Sequence, residues 1–123
     1  MKVDSALVSK SYWLAAQART NRKIKLLAER KDRAWHLAHR AATLLKEEYG
    51  VKRVVLIGSL ASGKGFHPRS DIDLVIWEPD EKKYYQAVGK LLGLHPAFEI
   101  DLIEAEYASP NLSSVIEQDG VSL

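Results

Sequence analysis

Three aspartates stand in segments that otherwise look like buried strands. Asp71 and Asp73 open the segment DIDLVIW, and Asp101 interrupts the apolar segment FEIDLIE. Side chains alternate between the two faces of a strand, so Asp71 and Asp73 project together, about 7 Å apart at a rise of ~3.3 Å per residue. Two carboxylates this close repel each other unless a cation lies between them. Mg²⁺ prefers such oxygen ligands, and a solvent-exposed strand end is the simpler alternative.

Asp101 makes the metal interpretation stronger. A charge inside an apolar strand needs a partner or a metal to offset the cost of its desolvation. If its strand lies beside the strand of Asp71 and Asp73, the three carboxylates form one cluster. Glu99 lies on the same face as Asp101 and is either an accessory or an exposed strand-end residue. Such a cluster facing a glycine-serine turn suits a metal-bound triphosphate, and this is the chemistry of nucleotidyl transfer.

The glycine-serine turn belongs to the segment VVLIGSLASGKGF, residues 54–66, which also resembles a Walker A loop. Gly58, Gly63 and Lys64 fit the G-x-x-x-x-G-K spacing. The Walker motif then requires Ser or Thr, to bind Mg²⁺, at the start of a helix, but Gly65 follows and Pro68 prevents a long helix. We therefore interpret the match as coincidence, and Lys64 as a solvated loop residue.

The remaining sequence indicates which elements hold these residues. Residues from about Ser5 to Glu48 contain no glycine or proline and predict a helix, with a possible break near Thr20-Asn21. Three strands are predicted, in VKRVVLIG, DIDLVIW and AFEIDLIEAEY. A helix from Glu81 to Leu92 separates the last two strands, and a short final helix begins at Ser109-Pro110. This order predicts an α/β fold, a small mixed sheet with packed helices, preceded by an N-terminal helical arm.

Composition limits the class of protein. The chain has 123 residues, of which 46% are apolar, so one modest core and one compact domain are expected. The absence of cysteine excludes disulfides and thiolate metal sites. The apolar runs are too short for a membrane span, and Lys10 interrupts the only stretch that resembles a signal peptide. We expect a soluble, cytoplasmic protein without a membrane partner.

The charge is divided along the chain. Residues 1–33 carry nine Lys or Arg against three Asp or Glu, a net charge of +6, and the remainder carries nine against thirteen, a net charge of −4. A basic arm, residues 1–31, therefore precedes the proposed catalytic domain, residues 32–123. The arm suits nucleic acid or an acidic protein partner, or it is simply a solvated helix face. Its apolar residues favour docking on a partner subunit or on a second copy of the chain.

The segment GSLASGKGFHPRSDIDLVIW, with EIDLIE downstream, resembles the DNA polymerase β-like nucleotidyltransferases. In size the chain is similar to the minimal nucleotidyltransferase (MNT) proteins encoded beside HEPN-domain proteins. The family pattern is G-S, about ten residues, D-x-D and a later acidic residue on a strand. Here eleven residues, 60–70, separate Ser59 from Asp71, and Gly63-Lys64-Gly65 is a place for the insertion. The resemblance extends from about Ala34 to the end of the sequence, and the basic arm lies outside the shared core.

The resemblance implies a role for each site residue. The residues that would bind the nucleotide are Gly58, Ser59 and Ser70. The residues that would ligate Mg²⁺ and act in catalysis are Asp71, Asp73 and Asp101, the last of which would also help to deprotonate the acceptor hydroxyl. Ser70 matches a frequent family residue, and supporting the turn is an alternative role for it.

The resemblance also implies a biological role. MNT proteins act as antitoxins, and some transfer AMP from ATP to a tyrosine of the HEPN toxin. We therefore expect a Mg²⁺-dependent adenylyltransferase with ATP as substrate and a HEPN protein as partner. Two alternatives stay open: an antitoxin that neutralises its toxin only by covering it, and a nucleic-acid-binding module that uses the basic arm. The complete set of three carboxylates argues against the first, and a steep loss of affinity with salt would identify the second.

Overall fold

A single long helix begins the fold. The computed structural model describes the backbone of residues 5–123 and the side chains from residue 9 onward. Helix α1 runs from Ser5 to Tyr49 without interruption, so the expected break near Thr20-Asn21 is wrong. Thr and Asn each cost only a few tenths of a kcal/mol in a helix, and the Ala, Leu, Lys and Arg residues around them are strong helix formers.

Four strands form one mixed sheet, one strand more than the three that the sequence predicts. Their bounds are Val54–Ile57 for β1, Ile72–Ile76 for β2, Ile100–Glu104 for β3 and Val121–Ser122 for β4. The spatial order is β3-β2-β1-β4, with β1 antiparallel to β2 and β4 and with β2 parallel to β3. A parallel pair needs a crossover connection, and helix α3, Glu81–Leu92, provides it.

The elements differ from the prediction in two places. The third strand is shorter than the segment AFEIDLIEAEY, because a short 3₁₀ turn, Ala105–Tyr107, follows it. The two-residue strand β4 was not predicted. A single helical turn, α2, spans Ser59–Ser62. The predicted start of the last helix is confirmed: α4 covers Pro110–Asp119, and the Ser109 hydroxyl accepts the Leu112 N–H.

The two faces of the sheet pack against different helices. On one face Ile72, Leu74 and Ile76 are buried in the main core. The residues of α1 and α3 in that core are Ala34, Leu37, Ala38, Ala41, Ala42, Leu45, Ala87 and Leu91. On the opposite face Val55, Ile57 and Val75 form a smaller cluster, against which Leu112 and Ile116 of α4 pack. Strand alternation therefore assigns even-numbered residues of β2 to the main core and odd-numbered residues to the face of α4.

Helix α1 has a packed half and an exposed half. The packed half begins at Leu27, which contacts the main core and is followed there by Ala34, Ala38 and Leu45. From residue 9 to residue 26 every side chain except that of Ala16 is exposed. No helix among residues 5–123 is long and apolar enough to cross a membrane.

Candidate active site

The parallel pair β2–β3 places two of the predicted carboxylates side by side. Asp73 lies directly opposite Asp101 in the register of the two strands, close enough for the charge of Asp101 to raise the pKa of Asp73. The expectation that the third strand lies beside the second is therefore confirmed. Asp71 comes one residue before β2 begins, so it is exposed and does not lie inside a strand.

Both carboxylates of the pair lie on the sheet face that α4 covers only in part. Asp73 is two residues from Val75, so both side chains lie on the same face of the sheet. Asp101 is likewise two residues from Ile103, which also packs in the α4 cluster. Leu112 of α4 contacts this apolar cluster, whereas Asp73 and Asp101 are only half-buried. One end of this face is thus apolar and covered, and the other end is acidic and reachable from solvent.

Burial and charge raise the pKa of Asp73 to about 6. The largest cause is desolvation, followed by the negative charges of Asp101 and Asp71 and by the hydrogen bond with Asp101. Asp73 therefore binds a proton more readily than an ordinary aspartate, because its charged form is partly desolvated and lies beside two other negative charges.

The glycine-serine turn lies against this carboxylate. Ile57 pairs with Asp73 in the antiparallel register of β1 and β2, and Gly58 follows at once. A Cβ atom on Gly58 would lie 2.7 Å from Oδ2 of Asp73, and its φ of +85° is in the region that favours glycine. Ser59 then starts α2 and is half-buried. Only glycine allows the backbone to approach Asp73 this closely.

Ser70 closes the loop that precedes the acidic pair. Its side chain is buried, with 8% of its surface exposed. The Ser70 hydroxyl accepts the N–H of His67 at 2.9 Å, and the Ser70 N–H donates to the His67 carbonyl at 2.9 Å. The His67 ring nitrogen Nδ1 accepts the Arg69 N–H. These bonds show that Ser70 supports the turn; Lys64, in the same loop, is exposed.

The comparison with protein families decides the class of this site. The family described as "Nucleotidyltransferase domain" matches residues 39–123. The chain belongs to this family. No curated protein matches the chain.

Several solved structures share the fold of this nucleotidyltransferase. A chain of a toxin-antitoxin complex with AMP-PNP is 22% identical, with a TM-score of 0.56 over 69% of this chain and 70% of that one. A structure of tri-AMPylated Shewanella oneidensis HEPN toxin in complex with MNT antitoxin gives 18% identity and a TM-score of 0.53, over 72% and 70% of the two chains. A chain described as a putative nucleotidyltransferase from Sulfolobus solfataricus is 18% identical, with a TM-score of 0.53 over 78% of this chain and 84% of that one.

The carboxylates of the nucleotidyltransferase fit a magnesium ion as a pair. Within residues 5–123 no group of three or more His, Cys, Asp or Glu side chains is arranged to hold a metal ion. The negative charges of Asp73 and Asp101 nevertheless lie side by side, and a divalent cation would relieve their repulsion. Mg²⁺ is usually bound by one or two carboxylates together with substrate phosphates. The donor set therefore suits Mg²⁺ that arrives with a nucleotide better than Mg²⁺ held by the protein alone.

A cleft of about 380 Å³ opens beside Asp71, and sequence analysis did not identify it. Its wall includes Arg30, whose guanidinium donates to the Ala97 carbonyl at 2.7 Å and lies 4.1 Å from the centre of the Phe98 ring. The sequence assigned Arg30 to the basic arm because it lies within a run of basic residues. No sequence signal shows that this arginine holds the segment before β3, the strand of Asp101.

Proposed function

We propose that this nucleotidyltransferase transfers AMP from ATP to a hydroxyl group of a partner protein in the cytoplasm. The partner we propose is a HEPN toxin, the acceptor a tyrosine, and the role that of an antitoxin. The observation that carries the proposal is the Asp73–Asp101 pair beside Gly58, at the uncovered end of one sheet face. A purely structural site has no need of two half-buried carboxylates whose negative charges repel each other.

The similar structures support the choice of nucleotide and of partner. One was solved with AMP-PNP, which has the triphosphate length of ATP. Another contains a tri-AMPylated HEPN toxin together with an MNT antitoxin. Both have the fold of this chain, and residues 39–123 of this chain match the nucleotidyltransferase family. The transfer of these properties to this chain is our proposal.

The proposed mechanism begins with binding of the triphosphate. Gly58 and Ser59 receive it, because the missing Cβ lets phosphate oxygens approach the backbone next to Asp73. Asp71, Asp73 and Asp101 would hold Mg²⁺, with Asp71 turning inward from its exposed position before β2. When bound, Mg²⁺ would supply positive charge for the triphosphate and the leaving pyrophosphate. Ser70 keeps the loop closed, so that Asp71 starts from a fixed position.

The chemical step is a substitution at the α-phosphorus of ATP. The acceptor oxygen forms a bond to this phosphorus, the bond to the bridging oxygen of the β-phosphate breaks, and pyrophosphate leaves. Asp101 accepts the proton of the acceptor hydroxyl, since it is half-buried beside Asp73 and faces the uncovered end. We place this catalytic unit at residues 32–123 and the basic arm at residues 1–31.

Mass spectrometry of the partner tests the proposal. The purified HEPN protein is incubated with ATP, Mg²⁺ and either the wild-type chain or the variants Asp71→Asn and Asp73→Asn. We expect the mass of AMP on the partner with the wild type and no added mass with either variant. Circular dichroism of the variants should show an unchanged fold, because each substitution removes only one charge near the surface.

The same experiment separates catalysis from neutralisation by binding. If the wild type leaves the partner unmodified, and both variants silence its toxicity as well as the wild type does, the chain is an antitoxin that acts only by forming a complex. If the partner is modified by the variants as well, the carboxylates are not the catalytic groups.

A further inference from the structure

A second cleft, of about 420 Å³, lies away from the carboxylate pair. It is formed by the start of α3, the end of β3 and the 3₁₀ turn, and its lining residues are Glu81, Tyr84, Tyr85, Glu104 and Tyr107. Tyr85 and Tyr107 are 80% and 79% exposed and lie together in this one cleft. The Tyr84 hydroxyl donates to the Leu102 carbonyl at 2.8 Å and so fixes one wall.

The chemistry of this cleft favours a positively charged side chain. Glu81 and Glu104 provide two carboxylates, and the three tyrosine rings provide electron-rich faces. A guanidinium or ammonium group is attracted to aromatic faces and forms charge-assisted hydrogen bonds with carboxylates. No Lys or Arg of the described chain lines the cleft.

The exposed part of the arm, residues 9–26, has the complementary character. Trp13 and Ile24 are 71% and 61% exposed. At 100° per residue they share a helix face with Leu27, where the packed half of α1 begins. The side of α1 that faces the core therefore continues into the arm, where it is exposed to solvent. Arg19 and Lys23, one turn apart, lie along the edge of this face and are exposed.

The arm cannot reach the cleft of its own chain. Helices α1 and α3 run in opposite directions. Tyr49 lines one cleft together with Lys83, near the start of α3, and Arg30 lines another together with Leu92, at the end of α3. The cleft is at the Tyr49 end, whereas the arm leaves from the Arg30 end. At 1.5 Å per residue these ends are about 28 Å apart, and Lys23 lies about 10 Å farther away. A continuous helix cannot fold back over this distance.

We propose that two copies of this chain exchange their arms, so that Arg19 and Lys23 of each copy enter the tyrosine-glutamate cleft of the other. Trp13 and Ile24 are then covered by the neighbouring copy. The charge of each chain supports this pairing, because residues 1–33 carry +6 and the remainder carries −4. A reciprocal exchange also closes with two-fold symmetry, which leaves no arm and no cleft unpaired. This inference is independent of the proposed reaction.

Sedimentation equilibrium of the full chain tests the exchange. The wild type should form a dimer, and the arm variant Arg19→Glu/Lys23→Glu should weaken dimerisation by tenfold or more. The control is Arg22→Glu/Lys25→Glu, which makes the same charge change on another side of the helix and should leave the dimer within about twofold of the wild type. Because all four residues are exposed, neither variant disturbs the core.

A charge exchange identifies the site on the second copy. Glu81→Lys/Glu104→Lys should weaken the dimer as the arm variant does, and combining all four substitutions should restore it. Failure of the combined variant to recover, or equal weakening by the arm variant and its control, would overturn the proposal. A wild type that remains a monomer at about 100 μM would also overturn the proposal, even if its arm proved to be required for binding the HEPN partner.

Discussion

The two faces of the sheet differ in function: one stabilises the fold and the other carries the candidate active site. The face that packs on α1 and α3 is apolar along the whole of β2, from Ile72 to Ile76. The opposite face is apolar where α4 covers it, at Val75, and acidic where it is uncovered, at Asp73 and Asp101. Because side chains alternate along a strand, five residues of β2 serve both purposes. Stability and chemistry can therefore be changed separately by substitutions one residue apart.

The largest effect is expected from Asp101→Asn, on the acidic end. An amide cannot take a proton from the acceptor hydroxyl, so the rate of AMP transfer should fall on the order of a thousandfold, within the range for loss of a general base. The melting temperature should stay the same or rise, since the Asp73 carboxyl loses a repulsive neighbour. Transfer of labelled AMP and thermal unfolding measure the two quantities.

Glu99→Gln is the matched control for Asp101→Asn. Glu99 is two residues before Asp101, so strand alternation puts it on the same face, but it precedes β3 and is exposed. Its loss of charge should change the transfer rate by less than about threefold. A comparable loss of activity in both variants would mean that the overall negative charge matters and that Asp101 has no specific role.

On the apolar face, Leu74→Ala should lower the free energy of unfolding by about 2–5 kcal/mol, because the side chain is fully buried in the main core. Leu112→Ala on α4 should cost less, since Leu112 is only half-buried in the smaller cluster. Urea unfolding compares the two variants. If Leu112→Ala costs as much as Leu74→Ala, the two faces do not differ in their contribution to stability.

Gly58→Ala tests the close approach of the turn to the acidic end. The new methyl group would meet Oδ2 of Asp73, so transfer should fall about a hundredfold and the fold should lose about 1–2 kcal/mol of stability. Gly65→Ala is the control, because Gly65 also has a positive φ, +76°, but has no atom within 4 Å of the new group. Equal activity of the two variants would show that the contact with Asp73 is unimportant.

Much of the fold was predictable because its signals are local. The helix before Gly50, the strands rich in β-branched residues and the Ser109 cap each depend on neighbouring residues, and the structure has all of them. The failures were non-local. Strand β4 has two residues and exists only because β1 offers a free edge, and the third strand is short because its end turns into a 3₁₀ helix.

The candidate site was predictable to a different degree for each residue. The spacing of Asp73 and Asp101 was informative because parallel strands align their residues, and the register pairs them directly. The sequence did not show that Asp71 lies outside the strand, because a strand start depends on the partner it finds. Nor could it reveal Arg30, whose contacts with Ala97 and Phe98 join segments 67 residues apart.

The smallest expected effect concerns the pH dependence of stability. Burial raises the pKa of Asp73 from its ordinary value of 3.8 to about 6, so the folded state holds the proton of this carboxyl group more tightly than the unfolded state does. In protein freed of Mg²⁺ with EDTA, the free energy of unfolding should therefore be highest below about pH 4 and should decrease as the pH rises through 6. Because the side chain is half exposed, we expect a loss of about 1 kcal/mol after allowing for solvent screening.

The most direct test measures both AMP transfer and the free energy of unfolding in one variant, Asp73→Asn. We predict that it loses AMP transfer to the same degree as Asp101→Asn, and that without metal it is about 1 kcal/mol more stable than the wild type at pH 7 and equally stable at pH 4. Such opposite changes would identify Asp73 as a residue kept for chemistry at a cost in stability. Retained AMP transfer by Asp73→Asn, or a joint loss of transfer and stability, would contradict this account.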